Sequence, residues 1–276
     1  MTVREGPLLS AVDPQKIVRL MAEVAAEEIM PRFCNLAAGD IRMKDGNETV
    51  TVADEAAERA LSPRLMALLP GSVVVGEEGA AADPGMLARL SGDAPVWVID
   101  PIDGTRNYAA GKPDFGVIIA LVRGNETVAA WIHRPVAGST HVAELGGGAW
   151  RDGARLGAKE PPSGLTMRGT VSFSFFSEPA REALRAKVKQ ALPPLAERGC
   201  VAREYAHLAD GSQHFALYRS MKPWDHVAGA LIVNEAGGRV AKWDGSPYRP
   251  TDTAGGILAA ASPEGWNRIR EFLASP

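Results

Sequence analysis

Apolar residues recur at helical spacing from Ile17 through Leu20, Met21 and Val24 to Ile29, a period that predicts an amphipathic helix. Asp13-Pro14 reads as its N-cap followed by proline at the first helical position, and Pro31 ends it. The polar stretch Lys44-Asp45-Gly46-Asn47-Glu48 precedes a second helical pattern carrying Leu61, Leu65 and Leu68, in which Pro63 predicts a kink or break. From Val73 the texture changes to short apolar runs. Val73–Val75 ends at Gly76-Glu77-Glu78, and Val96–Ile99 ends at Asp100. Residues 115–122 and 127–133 read as a hairpin turning at Gly124-Asn125. Beyond the glycines at 146–148, the pattern predicts a strand over Val171–Phe175 and a helix over 179–191. Another helix runs from near Trp224 to Glu235, closed by Gly237-Gly238. Strands near 239–243 and 256–260 follow, then a last helix with Trp266, Ile269 and Phe272. This mixed order predicts layered α/β architecture rather than a bundle or a β-sandwich.

The 276 residues suggest about two compact units, here 1–150 and 151–276, with a boundary near 145–155. Thirty basic and 33 acidic side chains leave a net charge of −3, which removes the electrostatic case for a nucleic-acid or membrane-surface partner. Two cysteines, Cys34 and Cys200, are too few for a disulfide framework; Cys34 reads as a small buried hydrophobe. The start, MTVREGPLLS, lacks the basic and apolar pattern of a signal peptide. The most apolar windows, such as 116–122, are strand-sized. A cytoplasmic, soluble protein is expected.

The chemistry concentrates where strands end in acids. An apolar strand delivers Asp100; Pro101 cannot continue a ladder, Asp103 follows, and Gly104 permits a tight turn into a helix starting at Thr105. Two carboxylates and the Ile102 carbonyl then converge, beside free N–H groups at Gly104 and Thr105. Clustered carboxylates repel unless protonated or bridged by cations, and hard divalent ions favour oxygen ligands. Asp103-Gly104 can also be plain turn chemistry and Asp225 an ordinary N-cap. Glu78 reads as a solvated loop charge, and His226 as a packed histidine rather than a ligand. A covalent aspartyl-phosphate mechanism of the haloacid dehalogenase kind needs an Asp two residues before Asp103, where this chain has Pro101.

With these motifs in order, the sequence resembles the inositol monophosphatase family of Mg²⁺-dependent, lithium-sensitive phosphatases. The pieces are Val50–Asp54, Gly76-Glu77-Glu78, Asp100–Thr105 with Asn107, Gly146–Ala149, and Trp224-Asp225 leading to Glu235–Gly238. The resemblance implies a layered αβαβα sandwich and a homodimer. It implies two or three Mg²⁺ ions, replaceable by Mn²⁺. Glu77, Asp100 and the Ile102 carbonyl would hold the first ion, Asp100, Asp103 and Asp225 the second, and Glu77 would lie near a third. Thr105 paired with Asp54 would orient the attacking water, the Gly104 and Thr105 amides would bind phosphate, and Lys44 would ride on a flap over the site. The substrate implied is a small phosphate monoester, with inositol 1-phosphate as the default.

Two departures bear on that substrate. Tyr218 stands where inositol phosphatases carry a glutamate that contacts the polyol, and Gly199-Cys200-Val201 replaces a Gly-Ser/Thr-Ala segment. A phenol cannot reproduce a carboxylate's two acceptors, so polyol recognition should differ, with Gly199, Cys200 and Tyr218 on the substrate side. Histidinol phosphate, 3′-phosphoadenosine 5′-phosphate and fructose 1,6-bisphosphate are the alternative substrates. A non-catalytic sensor of a phosphorylated metabolite is the reading from another class.

Overall fold

The computed structural model describes residues 12–44, 48–157, 167–178, 180–194 and 199–274. The reading of the N-terminal ten residues, positions 45–47 of the polar stretch and the first residue of the 179–191 helix lie outside these.

The first helix, α1 (Pro14–Val24), is capped by Asp13, whose carboxylate accepts the Gln15 N–H, and continues into a π-helical turn over Ala25–Ile29. Strands β1 (Ile41–Lys44) and β2 (Glu48–Thr51) form an antiparallel hairpin that the periodicity does not predict. Helix α2 (Val52–Leu68) runs through Pro63 without a break, which leaves a kink as the other expected outcome. Ala53, Ala57, Leu61 and Leu65 bury its inner face, whereas Pro63 and Arg59, whose carbonyl loses its partner, are exposed.

Seven strands form the larger sheet in sequence order: β3 (Val73–Gly76), β4 (Val96–Asp103), β5 (Gly116–Arg123), β6 (Glu126–Arg134), β7 (Ser139–Glu144), β8 (Gly148–Arg151) and β9 (Ala154–Arg155). Among the described residues only β3 and β4 pair in parallel within it. Between β3 and β4 lies α3 (Glu77–Ala82), and after β4 comes α4 (Thr105–Ala109). Contrary to the expected turn at Pro101, β4 continues to Asp103 by shifting register between Asp100 and Asp103.

The smaller sheet has the order β10 (Gly169–Val171), β11 (Phe215–Tyr218), β13 (Ile257–Ala260) and β12 (Arg239–Lys242). The strand expected over 171–175 stops at Val171. Phe173–Phe175 instead forms a 3₁₀ turn, and Phe175 packs edge-on against Phe176 and Trp243. The remaining helices are α5 (Ala180–Ala191), α6 (Val201–Asp210), α7 (Pro223–Glu235) and α8 (Pro263–Ala274).

Strand alternation explains the layers. One face of the large sheet, with Trp97, Ile99, Val117, Ile119 and Trp131, packs on α1 and α2. The other, with Val98, Ile118, Ala120 and Ile132, packs on α6 and α7, which also meet Ala216, Tyr218 and Ala259 of the small sheet. Leu217, Leu258 and Ala260 point outward to α5 and α8. The order is therefore α–β–α–β–α, as expected. Among the described residues no helix is long and apolar enough to cross a membrane. Cys34 is exposed at φ 62°, not buried: the chain has left α1's apolar face by the turn that follows Pro31.

Candidate active site

Asp54 enters the cleft from the first turn of α2. Thr51 caps that helix, and Asp54 Oδ2 accepts both the Thr51 N–H at 2.8 Å and the Thr51 hydroxyl at 2.6 Å. Its other oxygen is 3.0 Å from Thr105 Oγ1, which also lies 2.8 Å from the Ile102 carbonyl. Burial, which outweighs these hydrogen bonds, pushes the Asp54 carboxyl up to about 6.

Glu77 opens α3, and the device that aims it is a residue that sequence reasoning missed. Glu58, one helical turn after Asp54, accepts the Glu78 and Gly79 N–H groups at 2.8 Å each, so its carboxylate caps α3. A Cβ on Gly76 would lie 2.3 Å from that carboxylate, so a larger residue there would have to push the Glu58 cap aside. The signal was the four-residue spacing of Asp54 and Glu58 on one helix face.

From β4 come Asp100, the Ile102 carbonyl and Asp103, all buried. Gly104 follows at φ 85°, where a Cβ would meet the Asp114 carbonyl at 2.9 Å. Asp225 arrives on the first turn of α7, next to Pro223 at the helix start. Glu77, Asp100, Asp103, Gly104, Thr105, Gly199 and Asp225 line one cavity of about 470 Å³, with Glu48, Arg106, Asn107 and Lys222 among its other walls. Burial first, then mutual repulsion, pushes the Asp100 and Asp225 carboxyls well above the usual range. For Asp103, hydrogen bonding from the start of α6 offsets part of the burial, and its carboxyl still rises.

Lys44, at the end of β1, reaches Glu78 Oε1 at 2.6 Å and Glu77 Oε1 at 3.3 Å. Glu78 is thus no solvated loop charge: it sits on α3, and burial, despite Lys44, pushes its carboxyl up to about 7. Across the cleft mouth, Glu48 of β2 pairs with Lys222, a contact the sequence did not reveal.

Two expected substrate-side residues are elsewhere. Tyr218 alternates with Leu217 on β11 and points into the middle helical layer. There it stacks on Tyr205 with centroids 5.5 Å apart and packs on His226 at 4.8 Å. Cys200 is fully buried as the N-cap of α6, its sulfur accepting the Arg203 N–H at 3.4 Å; Gly199 and Val201 line the cavity in its place. His226 is buried and bonded to the Tyr205 hydroxyl at 3.1 Å, a packed histidine as expected.

Among the described residues no three His, Cys, Asp or Glu side chains are gathered tightly enough to make a ready cation cage. The chemistry of the donors still fits a divalent ion. Asp100 Oδ1 is buried with no hydrogen-bond partner, and the acids around it raise one another's proton affinity. A hard cation relieves both costs at once.

The family model for the inositol monophosphatase family matches residues 14–275. The chain is 31% identical to the inositol-1-monophosphatase ImpA of Mycolicibacterium smegmatis over 268 residues, 92% of each protein. It is 32% identical to the chloroplastic bifunctional phosphatase IMPL2 of Arabidopsis thaliana over 213 residues, 76% of this chain but only 59% of the plant protein. The solved structure of a Thermotoga maritima IMPase superposes with a TM-score of 0.77 at 25% identity, covering 94% of this chain and 98% of that one. Matched along nearly its whole length in both sequence and fold, the chain belongs to the inositol monophosphatase family.

Proposed function

We propose that the protein is a Mg²⁺-dependent phosphomonoesterase of a small polyol phosphate, with inositol 1-phosphate as its default substrate. The observation that carries this reading is the Thr105–Asp54 hydrogen bond beside the unpartnered Asp100 oxygen, within one cleft lined by Glu77, Asp103 and Asp225. Glu77, Asp100, the Ile102 carbonyl, Asp103 and Asp225 would hold two ions. Bound there, Mg²⁺ would make water easier to deprotonate and neutralise charge on the phosphate and the departing alcohol. Thr105 orients the attacking water through its lone pairs, and Asp54 takes up the proton that the water loses. The cleft supplies mainly position and charge balance, which is what phosphoryl transfer requires.

The leaving group is the open part of this reading. Tyr218 is buried away from the cleft and Cys200 is buried behind Asp103, and the wall on that side carries Gly199 and Val201. Among the described residues no carboxylate on that wall takes the place of the polyol-contacting glutamate, which favours a second reading: the same chemistry on histidinol phosphate, 3′-phosphoadenosine 5′-phosphate or fructose 1,6-bisphosphate. The test is phosphate release from these esters and inositol 1-phosphate, with Mg²⁺ present or chelated. Mg²⁺-dependent release from any of them supports the chemistry, and the ratio of kcat/KM values selects the alcohol. Tight ester binding without release would instead favour a sensor.

A further inference from the structure

Asp103 Oδ2 accepts the Ala202 N–H at 2.7 Å, which ties the first turn of α6 to the cleft. The next residue, Arg203, is 12% exposed and donates through Nη1 to Asp114 Oδ2 at 2.7 Å. Arg134 at the end of β6, equally enclosed, approaches the other Asp114 oxygen at 3.4 Å. The Asp114 backbone carbonyl accepts Asn107 Nδ2 at 2.8 Å and closes against Gly104. Asp114 is therefore fastened by its backbone to the turn that carries Gly104 and Thr105, and by its side chain to the helix that carries the Ala202 N–H.

We infer that Asp114 and Arg203 are positioning residues for Asp103, their ion pair holding the α6 amide against its carboxylate. The packing gives this pair leverage. A Cβ on Gly116 would lie 2.9 Å from Ala202 Cβ and 3.0 Å from the His133 carbonyl, so strand and helix approach too closely for α6 to settle elsewhere without opening the contact. Hydrogen-bond partners behind an ion-binding carboxylate fix its orientation, and their loss costs on the order of tenfold or more in metal affinity or activity. The catalytic consequence rests on the proposed phosphatase reading; the structural consequence does not.

The test compares Arg203→Met and Arg203→Lys with the wild type in three measurements: amide hydrogen exchange at Ala202, Mn²⁺ binding by titration calorimetry, and phosphate release. Arg203→Met should speed exchange at Ala202 while leaving α7 amides unchanged. It should weaken Mn²⁺ binding and lower kcat by about tenfold each. Arg203→Lys, which keeps a donor for Asp114, should recover most of both. If Arg203→Met does not fold, Asp114→Asn carries the same comparison, since it keeps the carbonyl bonded to Asn107. Unchanged Ala202 exchange and Mn²⁺ binding in the variant overturn the inference. A wild type that binds Mn²⁺ but releases no phosphate overturns the phosphatase reading alone, and the exchange and binding data still decide the positioning.

Discussion

Thr105 Oγ1 lies 3.0 Å from Asp54 Oδ1, joining residues 51 positions apart in the chain. The pair is built from two helix starts: α2, whose cap uses the other Asp54 oxygen, and α4, which Gly104 turns into the cleft. Local bonds therefore fix Asp54 before any substrate arrives, and the hydroxyl is the part that can exchange partners.

Removing either member should lower kcat without emptying the cation site. Thr105→Val and Asp54→Asn are expected to lose about 10²- to 10³-fold in kcat, the usual scale for a positioned acid–base pair. Mn²⁺ binding by calorimetry should fall less than kcat, by about tenfold, since both side chains stand one remove from the ions. Thr105→Ser keeps the hydroxyl and should recover activity. Full activity in Thr105→Val would remove Thr105 from the reaction.

Asp100 poses the opposite trade. Burial, then Glu77, Asp103 and Asp225, raises its carboxyl well above the ordinary range. Such a group binds more protons folded than unfolded, so its ionisation costs stability increasingly as pH rises from the ordinary carboxylate range through the folded value. Asp100→Asn should abolish turnover and yet melt roughly 4 °C higher than wild type in chelator at about pH 7.5. The gain should shrink toward about pH 4, where both forms are neutral in the fold. A variant that melts lower than wild type at the higher pH would refute the repulsion.

The acids at strand ends were legible because an apolar run that stops at a carboxylate has few meanings. Asp100 and Asp103 needed only that pattern, whereas Asp225, on the first turn of a helix, needed the resemblance as well; the structure brings all three to one cavity. Glu58 left only its four-residue spacing from Asp54 as a signal, because it acts on the backbone of α3, and a capping carboxylate looks like any helical surface charge until the fold brings the two together. The Glu48–Lys222 pair spans 174 positions and has no local signature at all. Tyr218 was misplaced for a different reason: counting back from Asp225 gave its position in the chain but not which face of β11 it occupies. Pro63 shows the limit of propensity, since the buried face of α2 outweighs one lost hydrogen bond on its exposed side.

The two thiols should separate cleanly in a reactivity assay. Cys34 is exposed. Cys200 is buried beside the Asp103 carboxylate, and burial pushes its thiol well above the usual range. One equivalent of Ellman's reagent should react quickly with the native protein and the second only on unfolding. Cys34→Ser should abolish the fast phase and leave turnover unchanged. Rapid labelling of Cys200 in that variant would mean that the start of α6 opens in solution.

Tyr218 offers the sharpest check on the substrate pocket. Its hydroxyl is buried near Glu204 without a well-formed hydrogen bond, and its ring fills the space between Tyr205 and His226. Removing a buried hydroxyl that makes no good bond costs little, because no strong partner is stranded. Tyr218→Phe is therefore expected to keep kcat/KM within about twofold and to melt at or slightly above the wild-type temperature. Tyr218→Glu, which restores the family's residue, should instead destabilise the fold, because its carboxylate would be buried among aromatic rings beside another acid. A loss of about tenfold or more in kcat/KM for Tyr218→Phe, with unchanged stability, would mean that the hydroxyl reaches the substrate after all and that β11 presents its other face during turnover.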